Sequence, residues 1–379
     1  LLHRFREALA ATDPNATCPD PCERCPICHW RELCEARREQ DDSLWLVADI
    51  RSSQVQKLQA AGVHTLTALA KLPANHTVPK LALETFAKLR GQAALQLAGR
   101  GADQPLHELL APEDGHTRGF ARLPLPDDGD VYFDMEGDPL HGDGGLEYLF
   151  GVYYRDGKAG AFEFKPFWGH TRAEEKQAFE RFMDWLDQRR RKHPGLHVYH
   201  YAAYEDTALK KLSSRHATRE ALLDTFLRER RLVDLYKVVR ESIRASTPSY
   251  SIKDIEKFYR EAREGDVQTA GASIVYYERY LETGDKSLLE KIERYNEDDV
   301  VSLQLLHEWL LGQRPSGIPW RGDDSAEGAA GTAAGAPSPK DSSSGSLLSA
   351  RRIWRLTRGS ESTTTRGSKY SLPFASSRA

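Results

Sequence analysis

The chain has 379 residues, enough for two domains and a sizeable core, and its 40% hydrophobic and 29% charged residues are an ordinary balance for a soluble protein. A net charge of −3 gives no whole-chain signature of nucleic-acid binding, although local basic patches and metal ions can hold phosphates on an acidic protein. No apolar run approaches the ~18 residues of a membrane span, and no charged-then-apolar leader pattern follows Leu1-Leu2-His3, so the chain reads as a fragment of a longer polypeptide.

All five cysteines lie between Cys18 and Cys34. A secreted disulfide scaffold would spread them through the fold, whereas clustering points to a metal site in a reducing cytoplasm. Residues 1–40 read as a short helix over 1–11, the cysteine loop, and a charged helix through Arg38. Residues 44–101 read as small helices over 52–61, 67–72 and 80–97. Val55, Leu58, Val63, Leu66 and Leu69 stand at near-helical spacing around a Gly62-Val63 turn. Residues 102–126, rich in Pro, Gly and Asp, read as a linker.

From Asp130 the pattern becomes α/β. Strands are expected over 131–133, 148–154 and 161–167, then a helix over 172–190 with Phe179, Phe182, Trp185 and Leu186 as its apolar stripe. A short strand over 196–199, helices over 203–213, 217–229 and 233–244, and a long helix over 286–311 complete the series. Three strands, a helix, a fourth strand and a helical series is the order of a ribonuclease H-like mixed sheet with flanking helices, placed over 127–313. Residues 314–379 read as a disordered low-complexity tail, too poor in large apolar groups to repay ordering entropy.

Three acidic segments carry the chemistry. Asp134 and Glu136 follow the apolar strand Val131-Tyr132-Phe133, and residues i and i+2 of a strand project to one side, as two carboxylates must to share a divalent ion. Alone, such a triplet is usually a pair of solvent-facing charges. In "HVYHYAAYEDTALKKL" a strand delivers His200 and Tyr201, and Tyr204, Glu205 and Asp206 open a helix anchored by Leu209. Those acids either face a metal at the sheet edge or cap the helix. In "YNEDDVVSLQLLHEWL", Tyr295 and Asp299 stand four apart on one helical face, with Val300, Leu303, Leu306 and Trp309 as the buried stripe. Three successive acids, Glu297 to Asp299, are unfavourable there without nearby cations, a solvated acidic face being the alternative.

As a set these segments resemble the DEDD exonucleases of the proofreading (DnaQ-like) superfamily, in its tyrosine-type, YprB-like form. Asp134 and Glu136 look like the first motif and Tyr295-x-x-x-Asp299 like the third. The second motif departs: Tyr201 stands where the family has Asn, and Glu205 rather than Asp206 takes the Asp position on register. "RLVDLYKVV" around Asp234 and "SYSIKDIEKFY" fit the same resemblance, which covers about 185 residues. It implies a two-metal 3′→5′ exonuclease acting on single-stranded nucleic acid, DNA favoured over RNA. Asp134, Glu136, Glu205 and Asp299 would hold two Mg²⁺ or Mn²⁺ ions, with Tyr295 orienting the attacking water.

Cys22, Cys25, Cys28 and Cys34 follow C-x2-C-x2-C-x5-C, with Cys18 four residues upstream, a spacing suited to tetrahedral Zn²⁺ or an iron–sulfur cluster. Cys25-x2-Cys28-x5-Cys34 resembles the C-terminal clamp of RecB-like nucleases that carry a [4Fe–4S] cluster, so residues 1–40 would be the trailing edge of such a nuclease. The Gly62-Val63 hairpin resembles a helix-hairpin-helix module, whose turn amides contact DNA phosphates; a plain helical spacer is the alternative. This order resembles bacterial proteins of DNA repair and processing that continue into a helicase, but no Walker A segment occurs here to support an ATPase. The competing expectation is a non-catalytic nucleic-acid-binding scaffold.

Overall fold

The computed structural model describes residues 2–11, 20–22, 24–25, 28–112, 117–156, 160–261, 263 and 270–322. Five strands form the central sheet: β2 (Val131–Asp138), β3 (Leu146–Arg155), β4 (Phe162–Trp168), β5 (Val198–His200) and β6 (Leu232–Asp234). Their order is β4-β3-β2-β5-β6. The first three run antiparallel, and β5 and β6 lie parallel to β2. A separate two-stranded ribbon pairs β1 (His107–Leu109) with β7 (Ile243–Ala245).

Alternation along β2 divides the domain. Val131, Phe133 and Met135 enter one core with α6 (Arg172–Lys192), α7 (Tyr204–His216) and α8 (Glu220–Arg228), where Phe133 stacks on Phe182 at 4.5 Å. Tyr132 enters the opposite core, formed with α9 (Leu235–Ser242) and α12 (Ser287–Gln313). On α12 the inward stripe runs Ile292, Tyr295, Asn296, Asp299, Val300, Leu303, Leu306 and Leu310, with polar and apolar members on one continuous face.

The expected strand over 131–133 is longer than its apolar run suggested. It continues to Asp138, so Asp134 and Glu136 lie within β2, not beyond its end. Hydrophobicity fails as a signal there because the even-numbered side carries acids that helices α11 (Ala270–Thr283) and α12 cover. The helix expected over 233–244 begins only at Leu235, because Leu232–Asp234 pair with β5 as the fifth strand.

Residues 102–126 differ from a free linker. Besides β1, they include a 3₁₀ turn over Gly119–Arg122, and Phe120 and Leu123 are buried in the α9/α12 core. Glu241 fixes this turn, accepting from the Gly119 amide at 2.8 Å and the Arg122 guanidinium at 2.6 and 2.9 Å. Residues 314–322, expected to be disordered, also return to the domain. Ile318 and Trp320 pack against the same core, and the Arg314 guanidinium lies 3.6 Å from the Trp320 ring centroid. The rest of the expected tail lies outside the described residues.

Upstream, the described helices are α1 (Leu2–Ala11), α2 (Arg31–Gln40), α3 (Ser52–Ala60), α4 (Leu66–Lys71) and α5 (Leu83–Ala98). Val55, Leu58, Val63, Leu66 and Leu69 share one buried cluster around the Gly62 turn, where φ is +81°. The amides at this turn are already engaged. Gly62 and Val63 donate to Gln59 and Leu58 carbonyls, Leu66 and Thr67 to Asp42, and Ala68 to the Thr65 hydroxyl. Asp42 thus stands at the α4 N-terminus where an anion would bind. Helix α5 ties this layer to the sheet domain: Gln92 donates to the Ala245 carbonyl at 2.8 Å and accepts from the Tyr250 hydroxyl at 2.8 Å.

Phe182 touches β2, β3 and β4 through Phe133, Phe150 and Phe167. Phe182→Ala should lower unfolding free energy by about 3–5 kcal/mol in a urea titration. A loss under about 1 kcal/mol would contradict its place at the centre of this core.

Candidate metal and active site

On the even-numbered side of β2, Asp134 and Glu136 meet Asp299 from α12. Ligand oxygens of the three carboxyls all lie within 4.8 Å of one another. Gly151 of β3 makes this possible. It pairs with Asp134 across the ladder, and a Cβ there would come within 1.6 Å of Asn296 Oδ1. The missing side chain lets α12 close onto the sheet, and Asn296 Nδ2 then donates to Asp134 Oδ2 at 2.7 Å.

Burial and mutual repulsion set the electrostatics. Desolvation, followed by the neighbouring Asp299, Glu136 and Glu205 charges, holds the Asp134 carboxyl well above the usual carboxylate range. Glu136 is pushed up to about 8 by burial and then by Asp299, with the Ser273 hydroxyl of α11 partly offsetting this. Asp299 is also raised by burial, against the opposing pull of Arg263. Three carboxyls, Glu136 and Asp299 buried and Asp134 half-buried, cannot all ionise alone and suit hard divalent cations, which take oxygen ligands and reverse this repulsion. The donor set therefore fits the expected Mg²⁺ or Mn²⁺.

Glu205 stands just outside the trio. It is 4% exposed, its Oε2 is 3.3 Å from His200 Nδ1, and its charge acts on Asp134. Asp206 turns the other way, its side chain 32% exposed and paired with Lys210 at 2.7 Å. A left-handed Ala202 (φ +70°) makes the turn into α7. Its amide donates to Asp234 at 3.0 Å, and Asp234 also accepts from Tyr236 at the start of α9. Tyr201, standing at the family's Asn position, reaches the Tyr250 carbonyl at 2.6 Å. Tyr295 lies beside the acids, and burial and the Asp299, Glu136 and Asp134 charges raise its hydroxyl further above the ordinary phenol range.

Three site residues, Arg263, Asn296 and Ser273, had no distinguishing signal in the sequence, and a fourth, Lys253, lies in a stretch that did. The Lys253 ammonium, brought by α10 (Ile252–Ile255), lies 4.8 Å from the Tyr295 ring centroid. Burial lowers its pKa, with Asp299 and Glu136 among the charges acting on it. Arg263 pairs closely with Asp299 and with Glu256 at 2.8 Å. Asn296 sits among acids and reads as solvated, while Ser273 belongs to α11, a helix absent from the expected series. Only the Tyr250–Lys253 stretch could have been suspected, from the motif-like "SYSIKDIEKFY". A second convergent set, Asp138, His141 and Glu278, lies farther along β2.

The cysteines converge less. Cys22 and Cys25 sulfurs are 4.0 Å apart, near the ~3.8 Å expected of two thiolates on one tetrahedral zinc with Zn–S bonds of about 2.3 Å. Among the described residues, no three of Cys22, Cys25, Cys28 and Cys34 bring their sulfurs within 4.8 Å of one another, and Cys18 lies outside those residues. Two of the four thus fit a shared metal in this arrangement.

The raised Glu136 carboxyl gives a signed expectation. Between its ordinary value of 4.5 and about 8, the folded chain keeps a proton that the unfolded chain has lost. In chelator, stability should therefore fall as pH rises through that window. Thermal melts at stepped pH would show this, and Glu136→Gln should flatten the decline. A parent profile that rises across the window would contradict the burial of these acids.

Residues 131–311 match the family model described as the RNase_H superfamily. No curated protein and no solved structure matches the chain. Among the described residues no helix is long and apolar enough to cross a membrane. The sheet order, the flanking helices and this match agree, and the domain built on β2 to β6 has the ribonuclease H-like fold.

Proposed function

We propose that this domain is a metal-dependent nuclease, and specifically a two-metal 3′→5′ exonuclease acting on single-stranded nucleic acid, with DNA favoured. The observation that carries the reading is the convergence of Asp134, Glu136 and Asp299 within 4.8 Å on one buried face of a ribonuclease H-like sheet. Divalent ions bound there would activate a water as nucleophile and neutralise charge on the leaving oxygen. Asp134, oriented by Asn296, would hold the ions together with Glu136 and Asp299, and Glu205 would complete the set from α7. The Tyr295 hydroxyl stays protonated at neutral pH, so it serves to orient a water by hydrogen bonding and not as a base. Lys253 offers a positive charge beside the same acids, where a phosphate oxygen would lie.

One contact favours the non-catalytic scaffold as a second reading. Arg263 pairs with Asp299, so a chain-borne cation already offsets one of the acids. Metal binding discriminates the two: a working site takes up Mn²⁺ with loss of the Arg263 pair, whereas a scaffold does not.

The domain limits proposed are a cysteine tail over 1–40, a helical layer over 44–101 and the exonuclease over 127–313. Kinship of the tail with RecB-like nucleases, a role in DNA repair and a helicase in the full-length protein belong to the same proposal.

Cleavage of 5′-labelled single-stranded DNA and RNA with Mn²⁺ tests the reading directly. A ladder of progressively shorter labelled products is expected, reduced by several orders of magnitude in Asp134→Ala with folding intact. Cleavage retained in that variant would remove Asp134 from the mechanism, and no cleavage by either protein would favour the scaffold. For the cysteines, anaerobically purified protein is expected to be brown, with a broad band near the blue end of the visible spectrum and stoichiometric iron. A colourless protein holding one zinc per chain would reject the [4Fe–4S] cluster in favour of Zn²⁺.

A further inference from the structure

The site residues account for the reacting phosphate but not for the strand behind it. A buried group of carboxyls repels a polyanion, so the rest of the substrate needs cations of its own. Helix α7 begins at the site and leaves it. Glu205 in its first turn faces inward, while Tyr204, Thr207, Lys210, Lys211, Ser214 and Arg215 are exposed, at the three- and four-residue spacing of one helical face. The last five of these line an open depression of about 510 Å³.

The cations of this face are Lys210, which pairs with Asp206 at 2.7 Å, Arg215, which lies 3.5 Å from the buried Glu175, and Lys211. The helix has two acids: Glu205 is turned into the site, and Asp206 is neutralised by Lys210 at 2.7 Å. Arg215 reaches the Gly144 carbonyl of the β2–β3 turn at 2.6 Å, which holds its guanidinium at the far end of the depression. Lys211 and the hydroxyls of Thr207 and Ser214 stand between. Thr207 and Arg215 are separated by about 12 Å along the axis at 1.5 Å per residue. Lysine, arginine and hydroxyl donors in a row are the groups that hold phosphate oxygens and set register without reading bases.

We propose that this face of α7 binds the phosphodiester backbone of the single strand whose end enters the carboxylate site. The inference rests on the nuclease reading and adds the path of the substrate. Because the donors address phosphates, DNA and RNA strands should use it alike.

The test uses the full chain carrying Asp134→Asn to block cleavage, with fluorescein-labelled oligothymidylate and oligouridylate followed by anisotropy over a salt series. Adding Lys211→Ala should weaken binding several-fold for both probes and reduce the slope of log K against log salt by about 0.7, the value for one phosphate contact on a single strand. Lys211→Arg should restore the slope, which a merely structural lysine would not require. Thr207→Ala should weaken binding with little change in slope. Unchanged affinity and slope in Lys211→Ala, with tight binding by the parent, would overturn the α7 path and leave the nuclease reading standing. Failure of the parent to bind either probe would overturn both.

Discussion

Asp134, Glu136 and Asp299 share one buried face, and their mutual repulsion is the constraint around which this end of the molecule is arranged. Ionised carboxyls at that spacing inside a protein need a proton or a cation for each step of neutralisation. The chain supplies part of it. Arg263 pairs with Asp299, the Lys253 ammonium lies nearby, Asn296 donates to Asp134, and Ser273 hydrogen-bonds Glu136. What remains unbalanced is an all-oxygen set suited to divalent ions. The energetic cost of assembling the acids and their capacity to bind metal are therefore one property.

That assembly depends on packing far from the acids. The Val131–Phe133–Met135 side of β2 is held by α6 through Phe182, which leaves the opposite side for α12. Gly151 then allows α12 to approach closely enough for Asn296 to reach Asp134. A third support comes from the upstream helices. Gln92 of α5 hydrogen-bonds Tyr250 and Ala245, at the root of the loop that carries Lys253, while Tyr201 holds the same loop through the Tyr250 carbonyl. The helical layer is thus joined to the loop that carries Lys253 by a short chain of hydrogen bonds.

Departures from the expected elements share a physical origin. Segment 102–126 and residues 314–322 are polar and rich in turn formers, yet isolated apolar anchors, Phe120, Leu123, Ile318 and Trp320, fasten them to the α9/α12 core. Single anchors leave no periodicity to detect. Likewise the apolar pattern marks β2 only over Val131–Phe133, since the remainder is a strand whose covered side is acidic. The short strands β6 and β7 adjoin helix α9 directly, and three residues are too few to interrupt a helical pattern.

Local pattern in the chain was enough to place four of the five strands of the central sheet, the apolar stripe of α6, the long final helix and three acidic segments, because period and spacing survive in one dimension. Register against the motif of the resembled family, not local pattern, favours Glu205 over Asp206; in the structure Glu205 is buried and Asp206 is paired with Lys210. Tertiary structure alone decided which carboxyls meet, placing Glu205 beside the trio instead of within it. It alone brought in Asn296, Lys253, Arg263 and Ser273, whose neighbours come from distant segments. Their roles follow from three-dimensional proximity and shared burial, and a charge or amide in a polar stretch carries no local mark of what it will face once the helices close.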